Sequence, residues 1–186
     1  MADSDIVPAP GVLLVAPPMM LDPNFWRAVV LLCEHGSAGS FGLILNRPLA
    51  LELSDVMNDL EGENMISLGG PVQQDTLHFL HRHADQVSEA IPIVEGVHWG
   101  GDFEAIKTLV QTELVTPLDL RFFLGYAGWS PGQLEEEIEQ GGWFLANAAD
   151  VLIFAEEPRT LWRTVMRSMG GEFALLANFP DDPRMN

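Results

Sequence analysis

DLRFFLGYAGWSPGQLEEEIEQGGW, residues 119–143, holds in order a strand, a glycine-containing turn, a helix and a stop. Leu120 to Leu124 is the strand that leads into the turn. Trp129 to Leu134 then fit the positions that open a helix. Ser130 reads as the N-cap and Gln133 as its partner three residues on, a capping box. Pro131 falls at the first helical position, where its missing N–H costs nothing. Trp129 and Leu134 take the two ends of a hydrophobic staple. Glu135, Glu136 and Glu137 sit near the positive end of the helix dipole. Leu134 and Ile138, four apart, give the buried stripe, and Gly141 and Gly142 supply a left-handed stop.

Upstream, Asp102 caps a second helix through about Leu114, with Phe103, Ile106, Val110 and Leu114 on its apolar face. Downstream, Val151 to Phe154 reads as a late strand. A helix follows from Pro158 or Arg159 to about Met169, with Leu161, Trp162, Val165 and Met169 on its apolar side. Gly170 and Gly171 end it, and one further turn precedes a fraying PDDPRMN tail.

The N-terminal half is richer in strands. Gly11 to Ala16, Ala28 to Cys33 and Gly42 to Asn46 are apolar runs of strand length. The glycine- and serine-rich EHGSAGSF between the last two predicts a hairpin. Leu53 to Leu60 reads as a short helix capped by Ser54. Ile66 to Leu68, Thr76 to His81 and Ala90 to Val94 read as further strands, with Val97 to Trp99 as an extension. Strands in hairpin-like groups with few helices favour an α+β fold with a mixed, mostly antiparallel sheet. The expected organisation is a loose arm over residues 1–10 and one domain over residues 11–186.

The chain has 186 residues, 47% of them apolar, enough for a sizeable core. No run approaches the ~20 apolar residues of a membrane span. The start is acidic and its first apolar run is too short for a signal sequence, so a cytoplasmic protein is expected. Cys33 is the only cysteine, which excludes an intrachain disulfide. Against 27 acidic residues stand 9 basic ones, a formal charge of −18. Such a surface repels polyanions and gains little from counterion release, which opposes direct DNA binding.

Several motifs invite chemistry. Gly128-Trp129-Ser130-Pro131-Gly132 matches G-x-S-x-G, the nucleophile elbow of α/β-hydrolases. That elbow needs the backbone N–H of the residue after the serine, and Pro131 has none. It also needs a histidine after the serine, and the last histidine is His98. A serine hydrolase at Ser130 is therefore the weaker alternative, and no catalytic residue is assigned. His78, His81 and His83, with Asp85 nearby, read as solvated histidines at a strand end. No second ligand cluster accompanies them, so no metal and no cofactor are expected. Gly36, Gly39 and Gly42 admit an anion-binding nest or a plain hairpin connection, and the hairpin is preferred. Arg47, at a strand end before Pro48, suits either a carboxylate or phosphate ligand or an internal ion pair. Arg159, Arg163 and Arg167 are four apart on one helix side. They form either a solvated face paired with Glu156 or Glu157, or a dock for an anion or an acidic partner.

The spaced blocks GVLLVAPPM (11–19), DPNF (22–25), VVLLCEH (29–35), GLILNRP (42–48), GGPV (69–72) and GYAGWSPGQLEEEI (125–138) resemble the bacterial YqgE/AlgH family over nearly the whole chain. Trp143 and Trp162 also fit. Members of that family are mostly described as uncharacterised or as transcriptional regulators, a label similar to that of an alginate-production regulator. The resemblance implies an α+β fold whose bifurcated sheet curls into a pseudo-barrel with flanking helices. It implies no established activity and no cofactor. The functional expectation is a non-enzymatic binding or regulatory protein, with a direct nucleic-acid-binding regulator as the alternative. The expected binding site gathers Asp22, Phe25, His35, Asn46, Arg47, Gly69, Gly70 and Trp129, with Arg159, Arg163 and Arg167 as a partner patch. The expected partner is an unidentified protein or a small anionic ligand, and the oligomeric state is not set by the sequence.

Overall fold

A computed structural model describes residues 6–58, 60, 64, 66–155 and 157–180. The first half of the expected arm, Asp59 of the expected 53–60 helix, Glu156 and the tail from residue 181 lie outside the described residues.

Among the described residues, nine strands and six short helices follow in chain order: β1 (Val12–Val15), β2 (Val29–Gly36), β3 (Gly39–Ile44), α1 (Leu53–Val56), β4 (Ile66–Leu68), β5 (Val72–His81), β6 (Ile91–Val94), β7 (Val97–Trp99), α2 (Phe103–Gln111), β8 (Leu120–Trp129), α3 (Gln133–Glu139), β9 (Phe144–Asn147), α4 (Asp150–Ile153), α5 (Leu161–Met169) and α6 (Gly171–Leu176). A 3-10 turn, Pro158–Thr160, leads into α5.

The sheet branches at β8. One edge of this strand pairs antiparallel with β5. The other edge takes two partners in succession. Its first half pairs parallel with β4, Ile66 opposite Phe122 and Leu68 opposite Leu124. Its last residues pair antiparallel with β3, Gly42 opposite Ala127 and Ser40 opposite Trp129. Gly69 sits in the fork, donating its N–H to Leu124 O at 2.8 Å and accepting from Ile44 N–H at 2.8 Å. Only glycine fits there, because a Cβ on Gly69 would lie 2.2 Å from the Gly125 carbonyl oxygen. The remaining order is β6-β7-β5-β8-β3-β2-β1-β9. Every neighbouring pair along it is antiparallel.

The sheet curls into a half-barrel, bringing Gly11 at the head of β1 against the Ile93 backbone of β6. Inside the curl, Leu13, Val15, Leu31, Leu43 and Phe123 pack with Leu161, Trp162, Val165 and Met166 of α5. Outside it, Leu14, Val30, Leu32 and Ile44 pack with Trp129, Trp143 and Leu134 of α3. This explains why β1 and the start of β2 read as unbroken apolar runs, since neither has a wet face. A third cluster around Phe79, Phe122 and Ile106 lies under α1 and α2.

The α+β class, the mostly antiparallel sheet and the β2–β3 hairpin agree with the sequence reading. The Gly141–Gly142 stop is also found: Gly142 N–H reaches Glu137 O at 2.7 Å and Gly141 N–H reaches Ile138 O at 2.9 Å, a Schellman ending.

Three local readings are corrected. Ser130 does not cap α3; Gly132, at φ 78°, holds that position, and no side chain caps the helix. Pro131 and Gly132 form a turn first, so the helix starts later than the motif suggests. Half of the expected box survives, as Ser130 N–H donates to Gln133 Oε1 at 3.0 Å. Residues 151–154 are not a strand: Asp150–Ile153 is a helical turn, and the strand that pairs with β1 is Phe144–Asn147. Four apolar residues carry no periodicity that separates these two states. The α1 cap is Glu52, boxed with Asp55, rather than Ser54.

Candidate functional site

β3 ends at Ile44, and the chain runs on through Asn46 and Arg47 to Pro48, which bridges Ser67 of β4. Asn46 is only 6% exposed. Its side chain accepts from Val29 N–H at 2.9 Å and donates to Arg27 O at 2.8 Å. It therefore substitutes for a strand residue and fixes the chain entering β2. Arg47 emerges beside it, half-buried, donating to Trp26 O, and its own carbonyl accepts from Leu68 N–H at 2.8 Å, next to the Gly69 fork.

These residues form the floor of a groove of about 610 Å³ lined by Pro23, Trp26, Arg27, Asn46, Arg47, Pro48, Leu49, Leu68, Arg159, Trp162 and Arg163. Two arginines thus come from the β2 and β3 ends and two from the start of α5. Arg27 is held rigidly: its guanidinium lies 4.4 Å from the Trp162 ring centroid and 5.1 Å from that of Trp26. It donates to the carbonyls of Phe179 and Pro180, both at 2.7 Å. Arg163 donates to Ala177 O at 3.3 Å. Among the described residues, no carboxylate stands within ion-pair distance of Arg47 or Arg159. Burial lowers the Arg47 pKa from its usual value, yet a guanidinium with so high a starting pKa stays charged at neutral pH. The groove therefore gathers four guanidinium groups, two of which, Arg47 and Arg159, have no carboxylate beside them among the described residues.

The expected site residues divide between two places. Asn46 and Arg47 line the groove; Gly69 and Gly70 do not, packing instead against the Gly125–Ala127 backbone just past the Leu68 wall; and Asp22 lies one residue from the Pro23 wall, its carboxylate accepting from Asn24 N–H. Gly69 offers no free N–H, since its hydrogen bonds hold the fork. Phe25, Trp129 and His35 lie elsewhere. Phe25 stacks on Trp129 at 6.2 Å and meets Trp143 edge-on at 5.4 Å. Both indole N–H groups donate to one oxygen of Glu137, at 2.9 and 2.8 Å. His35 stands at the other end of β2 from Val29, a separation of ~20 Å at ~3.3 Å per strand residue. There its Nδ1 is 2.8 Å from Ser40 Oγ across the hairpin, and Nε2 lies 3.7 Å from Glu135. Of the arginine stripe, Arg159 and Arg163 line the groove and Arg167 does not. Trp26 and Arg27 were missed from sequence; an arginine directly ahead of the buried VVLLC run was the available signal.

The remaining histidines correct another expectation. His81 is fully buried, not solvated. Its Nε2 lies 2.9 Å from Gly100 O and its Nδ1 accepts from His83 N–H at 3.1 Å. This pairing fixes the neutral Nε2–H tautomer. Desolvation lowers the His81 pKa against the opposing pull of its hydrogen bond to Gly100 O, with smaller lowering contributions from His98 and His83. Among the described residues, no three His, Cys, Asp or Glu side chains group so as to hold a metal ion. Ser130 is hydrogen-bonded to no histidine, and Pro131 follows it. Among the described residues no helix is long and apolar enough to cross a membrane.

A forked antiparallel half-barrel, covered by short helices and grooved where β3 ends, defines the class of protein. The chain belongs to the AlgH-like family, whose model matches residues 13–174. It is 44% identical over 178 residues to a UPF0301 protein of Chlorobium limicola, covering 95% of each chain. It is 42% identical to one of Cytophaga hutchinsonii over 95% of this chain and 98% of the other. Among solved structures it is similar to a Corynebacterium diphtheriae protein, with TM-score 0.76, 29% identity and 94% of each chain covered. The AlgH protein of Pseudomonas aeruginosa gives TM-score 0.74 at 28% identity, over 98% of this chain and 100% of that one.

Proposed function

We propose that this protein acts by binding, without catalysis, in a regulatory role, and that its site is the groove of Arg27, Arg47, Arg159 and Arg163. One observation carries the reading. Four of the nine basic residues of a chain with net charge −18 line a single groove. An even scatter of basic groups over so acidic a surface would neutralise acids locally; a cluster creates a local field of opposite sign, which a Debye length of ~8 Å lets a small anion feel despite the acidic surroundings. Paired guanidinium groups suit the planar, bidentate geometry of carboxylate and phosphate. A duplex extends well beyond the groove into repulsive potential, which weighs against direct nucleic-acid binding.

Titration calorimetry with inorganic phosphate tests the reading. Measurable binding is expected for the native chain, with at least a tenfold loss in Arg159→Ala. Arg159 is exposed, so its removal leaves the fold intact. Submicromolar binding of random duplex DNA at ~150 mM salt, against a typical non-specific Kd of ~10⁻⁴–10⁻⁶ M, would favour the nucleic-acid alternative instead.

A further inference from the structure

The arginine groove does not end at its charged residues. Pro23 and Trp26 are shared with a second hollow of about 430 Å³, lined by Pro18, Met19, Met20, Leu21, Pro23, Trp26, Phe179 and Pro180. Its apolar residues are strongly exposed: Leu21 is 93% accessible, Met19 67% and Phe179 38%. Met19 and Leu21 lie on the loop between β1 and β2, whose Met20 packs on the outer core, and Phe179 lies beyond α6. Pro17, Pro18 and Pro23 break regular structure in that loop, and Phe25 occupies the space over the α3 core by stacking on Trp129. Charge and hydrocarbon thus lie side by side with Trp26 between them.

We infer that the ligand of this site is a small amphiphilic anion, its phosphate or carboxylate head among Arg47, Arg159 and Arg163 and its apolar tail across Trp26 onto the Met19–Leu21 shelf. The inference rests on the binding reading above and adds the tail. Two features select a hydrocarbon-bearing small molecule over an acidic segment of a protein. A polypeptide brings an amide N–H and C=O with every residue, and these need partners when covered. Among the described residues that line the shelf, only Trp26 brings a polar side-chain group, its indole N–H. A segment with several acidic residues would also extend past the arginines into the acidic surroundings, whereas a single head group is met entirely by the cluster. The flexible, exposed Met19 adapts to tails of differing shape.

The test titrates the full chain with inorganic phosphate, n-hexyl phosphate and the peptide acetyl-Asp-Asp-Trp-Leu-amide. Burying each methylene multiplies affinity a few-fold, so a half-covered hexyl tail should bind on the order of a hundredfold tighter than phosphate. The double variant Met19→Ser, Leu21→Ser should lose most of that advantage and keep the phosphate affinity. Both side chains are exposed, so the fold is retained, which a thermal melt verifies. Arg159→Ala should weaken hexyl phosphate and phosphate alike. Equal affinity for phosphate and hexyl phosphate overturns the amphiphile and leaves the anion groove standing. A hexyl advantage that persists in the double variant overturns the shelf as the tail site. Tighter binding of the peptide than of hexyl phosphate overturns the small-molecule assignment in favour of a protein segment. Binding of none of the three overturns the groove reading itself.

Discussion

The α3 knot and the arginine groove are both polar sites set in apolar surroundings, and they are built in opposite ways. In the knot each donor has its acceptor. Trp129 and Trp143 donate to one oxygen of Glu137, and Gln133 donates to the other at 2.9 Å. In the groove, Arg47 and Arg159 have no carboxylate among the described residues, and Arg47 donates to the neutral Trp26 carbonyl. A closed network stabilises a fold and has nothing left to offer a ligand. Uncompensated charge destabilises the isolated protein slightly and is relieved when an anion arrives. The motif most suggestive of chemistry, G-x-S-x-G, belongs to the closed site. The arginines best placed for binding come from three separate chain segments.

The largest expected effect breaks the closed site. Glu137→Ala strands two buried indole N–H groups, each costing ~1–3 kcal/mol, so a loss of about 2–6 kcal/mol is expected in denaturant unfolding. Phosphate binding by the folded fraction should be unchanged. Glu137→Gln keeps an acceptor and should recover most of the stability. A variant as stable as the native chain would show that the network contributes little.

Asn46 sharpens the boundary between the two regions. It lines the groove, yet both ends of its amide are engaged by the backbone, so Asn46→Ala should cost about 1–3 kcal/mol. It should also loosen phosphate binding by releasing the chain at Arg27. Weakened binding with unaltered stability would move Asn46 from support to direct contact.

A pH titration of stability probes a buried neutral site of the same closed type. His81 has its folded pKa lowered by desolvation. As pH falls below the unfolded value of ~6.5, the unfolded chain takes up the proton first. Stability from this group is therefore full above that pH and declines through the window between the unfolded and folded pKa. Protonation would also set an Nδ1–H against the His83 N–H. His81→Asn should flatten this acid limb of the curve; an unchanged limb would assign it to other groups.

The smallest effect is expected at Ser130. With no side-chain cap bond to lose, Ser130→Ala should change stability by under ~0.5 kcal/mol. A fluorophosphonate probe should not label the residue. Labelling would reopen the hydrolase reading, and a larger loss of stability would mean that the hydroxyl caps the helix in solution.

Local sequence determined whatever depends on near neighbours. The Gly141–Gly142 stop, the Asp102 cap with its 2.9 Å bond to Glu104 N–H, the β2–β3 hairpin and the amphipathic α5 were all legible, because their energetics act within a few residues. Residues 151–154 were not, since four apolar residues fit a strand or a helical turn equally and the choice fell to the partner available to β1. Arg121 shows the same limit. It is 4% exposed and donates to Ile153 O at 2.6 Å, Leu45 O at 2.7 Å and Ser67 Oγ at 3.0 Å. Burial lowers its pKa to about 10, while nothing in LRFF marks an arginine that joins three elements across the fork. The groove, too, was half legible. Arg47 at a proline-ended strand and the Arg159–Arg163 spacing were visible, but their meeting was not. Residues more than a hundred positions apart come together only because the sheet curls and α5 packs inside it. That arrangement is fixed by burial of both faces of β1 and β2, and no local propensity encodes it.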